Sequence, residues 1–161
     1  MPNWCENKAT IVCPTVDDAT RLVEALQERR MLASLVPMPP EVAKDPRPDV
    51  LGDAEYEWRS DNWGVKWDVN GSATQDGRSV DISFDSPWCP PLEWYGAIEN
   101  LGYKVDALYN ESGMAFCGAY ANGEDTYVDY PKTATRDAYN KRLPAAILEA
   151  FSFDWLDDED K

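Results

Sequence analysis

Polar and apolar residues alternate across residues 7–13. Ala9, Ile11 and Cys13 fall on one side of an extended chain, and Lys8, Thr10 and Val12 on the other. That period of two predicts a strand with one buried face, ended by Pro14. Thr15, with Asp18 three residues on, resembles a capping box with Asp in place of Glu. Ala19, Leu22, Val23 and Leu26 then repeat at i, i+3, i+4 and i+7, which predicts a helix to about Arg30. Between Val36 and Asp53 the prolines Pro37, Pro39, Pro40, Pro46 and Pro48 break every regular pattern, so residues 36–53 read as a long connecting loop. Alternation returns over residues 63–70. Trp63, Val65, Trp67 and Val69 face one way and Gly64, Lys66 and Asp68 the other, predicting a strand anchored in the core by both tryptophans. A turn from Asn70-Gly71 to Asp76-Gly77 leads to a partner strand, in which Val80, Ile82 and Phe84 alternate with Asp81, Ser83 and Asp85.

Pro90 and Pro91 suit the first turn of a second helix, with Trp94, Ala97, Ile98 and Leu101 as its stripe and Gly102 as its stop. Strands are predicted over residues 103–110, 114–121 and 126–130, the first two joined by a turn at Glu111-Ser112-Gly113. The C-terminal part reads as helical from Pro144, with Ile147, Leu148 and Phe151 turned inward, and ends in the solvated run Asp157-Asp158-Glu159-Asp160. The order β-α-β-β-α-β is that of a ferredoxin-like α+β sandwich, an antiparallel sheet with helices on one face. It would occupy residues 1–130, followed by a helical extension over 131–161.

Charge narrows the function classes. Thirty acidic residues against fifteen basic ones leave a net charge of −15, which repels nucleic-acid phosphates and anionic membranes. The acidity serves solubility, reflects a salt-adapted host, or imitates DNA to occupy a basic protein. No window is apolar enough for a membrane span and no signal-peptide pattern opens the chain, so a cytoplasmic protein is expected. The four cysteines, Cys5, Cys13, Cys89 and Cys117, form no C-x-x-C pair, and histidine is absent. Neither a zinc site nor a histidine-based triad is therefore expected, nor any cofactor. Glycine-rich phosphate loops, H-E-x-x-H and G-x-S-x-G are missing as well.

By alternation, the sheet face away from the helices would carry Lys66, Asp68, Asp81, Ser83, Asp85, Lys104 and Asp106. An RNA-binding sheet shows aromatics there, so this arrangement argues against that activity. Asp68, Asp81, Asp85 and Asp106 read either as a solvated face or as ligands for a hard cation in a metal-dependent hydrolase. Lys66, between two tryptophans, is either a substrate-binding cation or a stem laid on apolar surface. The corner Ser86-Pro87-Trp88-Cys89-Pro90-Pro91 is rigid, and Trp88 with Pro90 makes a candidate contact point. Cys89 lies before a helix, where a thiol pKa falls.

Three segments together, Pro2-Asn3-Trp4-Cys5-Glu6-Asn7, Asp61-Asn62-Trp63-Gly64-Val65-Lys66-Trp67-Asp68 and Ser86-Pro87-Trp88-Cys89-Pro90-Pro91, resemble the YubB-like family of small phage and plasmid proteins. The resemblance spans roughly residues 2–130, with Val65 where threonine is common. It rests on Asn3, Trp4, Cys5, Asn62, Trp63, Gly64 and Trp67 among others. It implies a ferredoxin-like domain and a mobile-element setting, and it implies no catalytic residues. The expectation is a non-enzymatic accessory protein that binds a host protein, foremost a basic nucleic-acid-binding one, as an anti-defence inhibitor. The alternatives are a nucleotide-sequestering protein using Lys66 and aromatic rings, and the carboxylate hydrolase. A monomer is favoured, because carboxylates on an open sheet face repel their own copies.

Overall fold

The computed structural model describes residues 2–43, 54–131 and 135–153. Strand β1 (Trp4–Val12) leads through helix α1 (Val16–Gln27) into three short helices, α2 (Met31–Leu35), α3 (Pro40–Ala43) and α4 (Ala54–Asn62). Then come β2 (Gly71–Asp76), β3 (Ser79–Pro87), α5 (Leu92–Glu99), β4 (Lys104–Glu111), β5 (Phe116–Ala121) and β6 (Glu124–Asp129), followed by α6 (Arg136–Arg142) and α7 (Ala145–Ala150). The six strands form one antiparallel sheet in the order β2-β3-β1-β4-β5-β6.

Local chemistry explains much of this. Thr15 caps α1, its hydroxyl accepting the Asp18 N–H at 3.0 Å, and the stripe of Ala19, Leu22 and Leu26 is buried as its spacing demands. These residues pack with Ala9, Ile11, Val80, Ile82, Phe84, Trp94, Ile98 and Val105 in a core between the sheet and helices α1 and α5. The opposite face carries a second core at its β4-β5-β6 end. There Cys117 and Tyr130 meet Tyr139 and Leu143 around α6 and Ile147, Phe151 and Phe153 around α7. Among the described residues, Lys8, Asp81, Ser83 and Asp85 on the rest of that face are exposed.

Several expectations are corrected. Residues 63–70 form turns and bends, not a strand. A strand needs a ladder partner, and the place beside β3 is taken by Gly71–Asp76, paired from Gly71↔Phe84 to Asp76↔Ser79. The segment read as the hairpin turn is thus itself the strand, and the turn shrinks to Gly77-Arg78. The alternation of residues 63–70 misled because Trp63, Val65 and Val69 do reach the core, from a loop. Trp67 does not, and stands exposed. Helix α3 lies inside the predicted loop, residues 44–53 of that loop lie outside the described residues, and α4 was not foreseen. Helix α5 stops before Leu101, which is exposed, and Tyr95 joins Trp94 and Ile98 on its buried side instead. The acidic run at 157–160 lies outside the described residues. Among the described residues no helix is long and apolar enough to cross a membrane.

Candidate functional site

The three motif segments, far apart in sequence, meet at one end of the sheet. Register places Trp4 opposite Pro87 and Cys5 opposite Ser86, so the first and third segments are neighbouring strand ends. Asn7, itself buried, locks them. Its amide nitrogen donates to the Cys5 carbonyl at 2.9 Å, the Phe84 carbonyl at 3.3 Å and the Ser86 hydroxyl at 2.8 Å. The Ser86 hydroxyl donates in turn to the Cys89 carbonyl at 2.6 Å. The middle segment is tied in by the Trp94 N–H on the Trp63 carbonyl at 3.3 Å and by the Cys89 thiol on the Gly64 carbonyl at 3.1 Å. Gly64 has φ +82°, a left-handed conformation that glycine adopts without strain, where the loop closes against α5. Trp63 is buried and its indole N–H donates to the Val36 carbonyl at 2.9 Å. Asn3 packs against Gly113, in a turn whose Gly113 and Met114 N–H groups donate to the fully buried Glu111 carboxylate at 2.6 and 3.0 Å. Asn62 donates to the Trp58 carbonyl at 2.8 Å, completing the last turn of α4.

On this frame sit large rings facing water. Trp4 is 47% exposed, Trp67 41%, Trp88 40% and Tyr56 of α4 38%. Trp4 and Trp67 meet edge to face at 6.2 Å. The Lys66 ammonium lies between the rings of Trp88, 5.3 Å away, and Tyr56, 5.7 Å away, in cation–π range of both. Trp88 holds a left-handed backbone, φ +69°, which costs a non-glycine residue energy. Its N–H donates to the Asn3 carbonyl at 2.8 Å, so the motif that begins the chain maintains the strained conformation that lifts this indole outward.

The interaction candidates therefore divide. Trp88 and Lys66 come together. Pro90 is buried and presents nothing to a partner. Asp68 and Lys66 are not on the sheet face, because the loop that carries them is not a strand. Asp68 instead accepts the N–H groups of Leu32 at 2.8 Å, Ala33 at 2.9 Å and Val69 at 2.9 Å. The Cys89 thiol is pushed up, by burial first and by Glu93 second, against a smaller opposing pull from Lys66; the expected lowering at the helix start does not occur. Asp81, Asp85 and Asp106 do lie on the open face, together with Ser83 and Lys104. Thr10 separates Asp81 from Asp106 across the strands and donates to Asp81 at 2.6 Å. Among the described residues no three His, Cys, Asp or Glu side chains are grouped to share a metal ion. Sequence reasoning missed Tyr56, which sits in an unforeseen helix, and Glu6, whose alternation with Cys5 and Asn7 was there to read.

Glu6 stands directly across from Asp85. Its carboxyl is raised above the ordinary 4.5 by burial, then by Asp85, with Lys8 opposing. Asp68 is raised above 3.8 chiefly by burial, which outweighs its three backbone hydrogen bonds and Arg30. Both groups hold protons more tightly folded than unfolded. Stability is thus expected to rise as pH falls from neutral through their folded-state values, and to level off below 3.8 and 4.5. Relief of self-repulsion in a chain of net charge −15 acts in the same direction. Urea midpoints should be higher at pH 5 than at pH 7, and the reverse order would refute this account.

No family model matches the chain. The uncharacterized protein YubB of Escherichia coli (strain K12) is 32% identical over 77 residues, covering 43% of this chain and 52% of that protein. The match thus spans about half the length of this curated relative. This weak homology supports a YubB-like family. Among solved structures, the crystal structure of protein api92 from Yersinia pseudotuberculosis aligns with a TM-score of 0.47 and 12% identity, over 81% of this chain and 99% of that one.

Proposed function

We propose that this chain is a non-enzymatic binding protein that docks a partner protein on its tryptophan-rich end. The observation that carries the reading is the exposure of Trp4, Trp67, Trp88 and Tyr56 at one place around Lys66. Apolar surface left in water forgoes about 25 cal/mol per Å², and rigid aromatic anchors of this kind are what protein interfaces bury at their centre. The frame beneath them is locked by hydrogen bonds, so little order is lost on docking. The partner's complementary surface is basic. Glu6 and Asp85 lie next to the aromatic end and Asp81 and Asp106 farther along the same face, which steers a cationic protein towards it.

The run β2-β3-β1-β4, with α1 following β1 and α5 following β3, supports assignment to the ferredoxin-like split βαβ arrangement. Our reading extends to a phage- or plasmid-encoded accessory role in the host cytoplasm, with a basic nucleic-acid-binding host protein as the target. The thiols, all free, suit a reducing compartment.

The test is retention from bacterial lysate by the immobilised protein at low and high salt, compared with the W4A/W67A/W88A variant. A basic protein held by the parent at low salt, released by moderate salt and retained at least tenfold less by the variant is the expected result. Equal retention by both proteins overturns the reading. The placement of Lys66 between two rings favours a second reading, a nucleotide clamped by stacking and a phosphate–ammonium contact. Under it, nucleotides would quench tryptophan fluorescence in the parent and not in the variant.

A further inference from the structure

We propose that the outer edge of β6 accepts a basic, extended segment of a partner as a seventh strand. The proposal rests on the reading that the partner is a basic protein, but uses a different part of the surface.

β6 ends the sheet, with β5 as its neighbour on one side. The Tyr130 N–H donates inward to the Ala115 carbonyl at 2.9 Å. One step back along the ladder, Asp129 opposite Phe116 must then be a pair whose N–H and C=O point away from β5. Alternation turns the backbone groups of Tyr127 and Asp125 to that same outer side. The chain already shows the chemistry that this edge takes: the Arg142 guanidinium donates to the outward Asp129 carbonyl at 2.6 Å. A basic side chain of α6 thus occupies the last rung, and the rungs at Asp125 and Tyr127 follow it.

Side chains specify what would pair there. On one face the edge reads Asp125, Tyr127, Asp129, and on the other Glu124, Thr126, Val128. Tyr127 is exposed and stacks on Phe116 at 5.3 Å, and its hydroxyl donates to Asp129 at 2.5 Å. Asp125 accepts from the Tyr109 hydroxyl at 2.7 Å. The face thus alternates carboxylate, ring and carboxylate, each oriented by a neighbour. An incoming strand that carries lysine or arginine at every second position would set a cation beside Asp125 and Asp129 and another over the Tyr127 ring. A second copy of this chain is a poor occupant, since two β6 edges would set Glu124, Asp125 and Asp129 against one another. Main-chain bonds would provide affinity and the alternating charges specificity, as in other strand additions.

The test uses a blocked hexapeptide of alternating lysine and threonine, the same peptide N-methylated at alternate residues, and a glutamate–threonine peptide. Binding is read by titration and by amide hydrogen exchange. The lysine peptide should bind and slow exchange at the Asp125 and Tyr127 amides. The N-methylated form keeps the charge but loses donors, and should bind at least tenfold more weakly; the acidic peptide should not bind. Glu124→Lys should weaken the lysine peptide. Equal binding of the N-methylated peptide, or protection located elsewhere, overturns the proposal. The W4A/W67A/W88A variant should bind the lysine peptide like the parent, so loss of the tryptophan reading and loss of this one are separately visible.

Discussion

Replacing Gly118 with alanine is expected to destabilise the protein by about 3 kcal/mol. Gly118 lies in β5 between Tyr109 of β4 and Tyr127 of β6. A Cβ there would sit 2.4 Å from the Tyr109 ring and 2.5 Å from the Thr126 carbonyl. The carbonyl is ladder backbone and cannot yield, and the ring is buried. Overfilling of this kind costs about 1–3 kcal/mol. A displaced Tyr109 also gives up its hydrogen bond to Asp125, and bonds to charged groups contribute about 1.5–3 kcal/mol. The stiffer unfolded chain offsets only about 0.4–1 kcal/mol. Urea unfolding measures the loss directly. In a Tyr109→Leu background the alanine should cost much less, because the two sites share the same space. A cost below about 1 kcal/mol in the parent would mean that the ring is not where the sheet holds it.

Asp68→Ala is expected to cost about 2–4 kcal/mol, although alternation alone would make it a solvated surface change. Helix α2 starts at Met31, and its own N-cap residue, Arg30, makes no side-chain cap bond. Asp68 supplies the cap from 36 residues away, accepting the Leu32 and Ala33 N–H groups. The residues so positioned are buried: Met31 and Leu32 enter the main core, and the Leu32 carbonyl accepts the Trp94 indole N–H at 3.0 Å. Alanine leaves these amides half-buried without an acceptor. Asn should recover only part of the loss, since its carbonyl oxygen can accept as one carboxylate oxygen does, whereas its NH₂ is a donor and leaves the N–H facing the other position without an acceptor. The measurements are unfolding free energies of both variants and exchange rates of the Leu32 and Ala33 amides, which should rise in D68A. Unchanged exchange at those two amides would refute the cap.

These two positions show how far reading the chain could go. The strands at Lys8–Val12, Val80–Phe84 and Val105–Ala107 were legible because each has one wet and one dry face, and period two records that division directly. Helix α1 was legible because its cap and its stripe agree. Residues 63–70 were not: three core residues and one exposed tryptophan gave the same alternation as a strand, and only the pairing of Gly71–Asp76 with β3 excludes it. Of the site, Trp88 and Lys66 were identified in advance, whereas Tyr56, the exposure of Trp4 and Trp67, and the burial of Pro90 were not.

Composition and pattern by themselves determined the acidity, the missing histidine chemistry, the α+β class and most of the core. Those properties follow from residue type and from spacing within one element. Tertiary structure alone decided that three distant motifs form one surface, that Asp68 is a cap, and that Trp67 faces water. It also decided that Gly118 must stay bare. Each of these depends on which strand lies beside which, and such long-range pairing leaves no periodic trace in the segments that it joins.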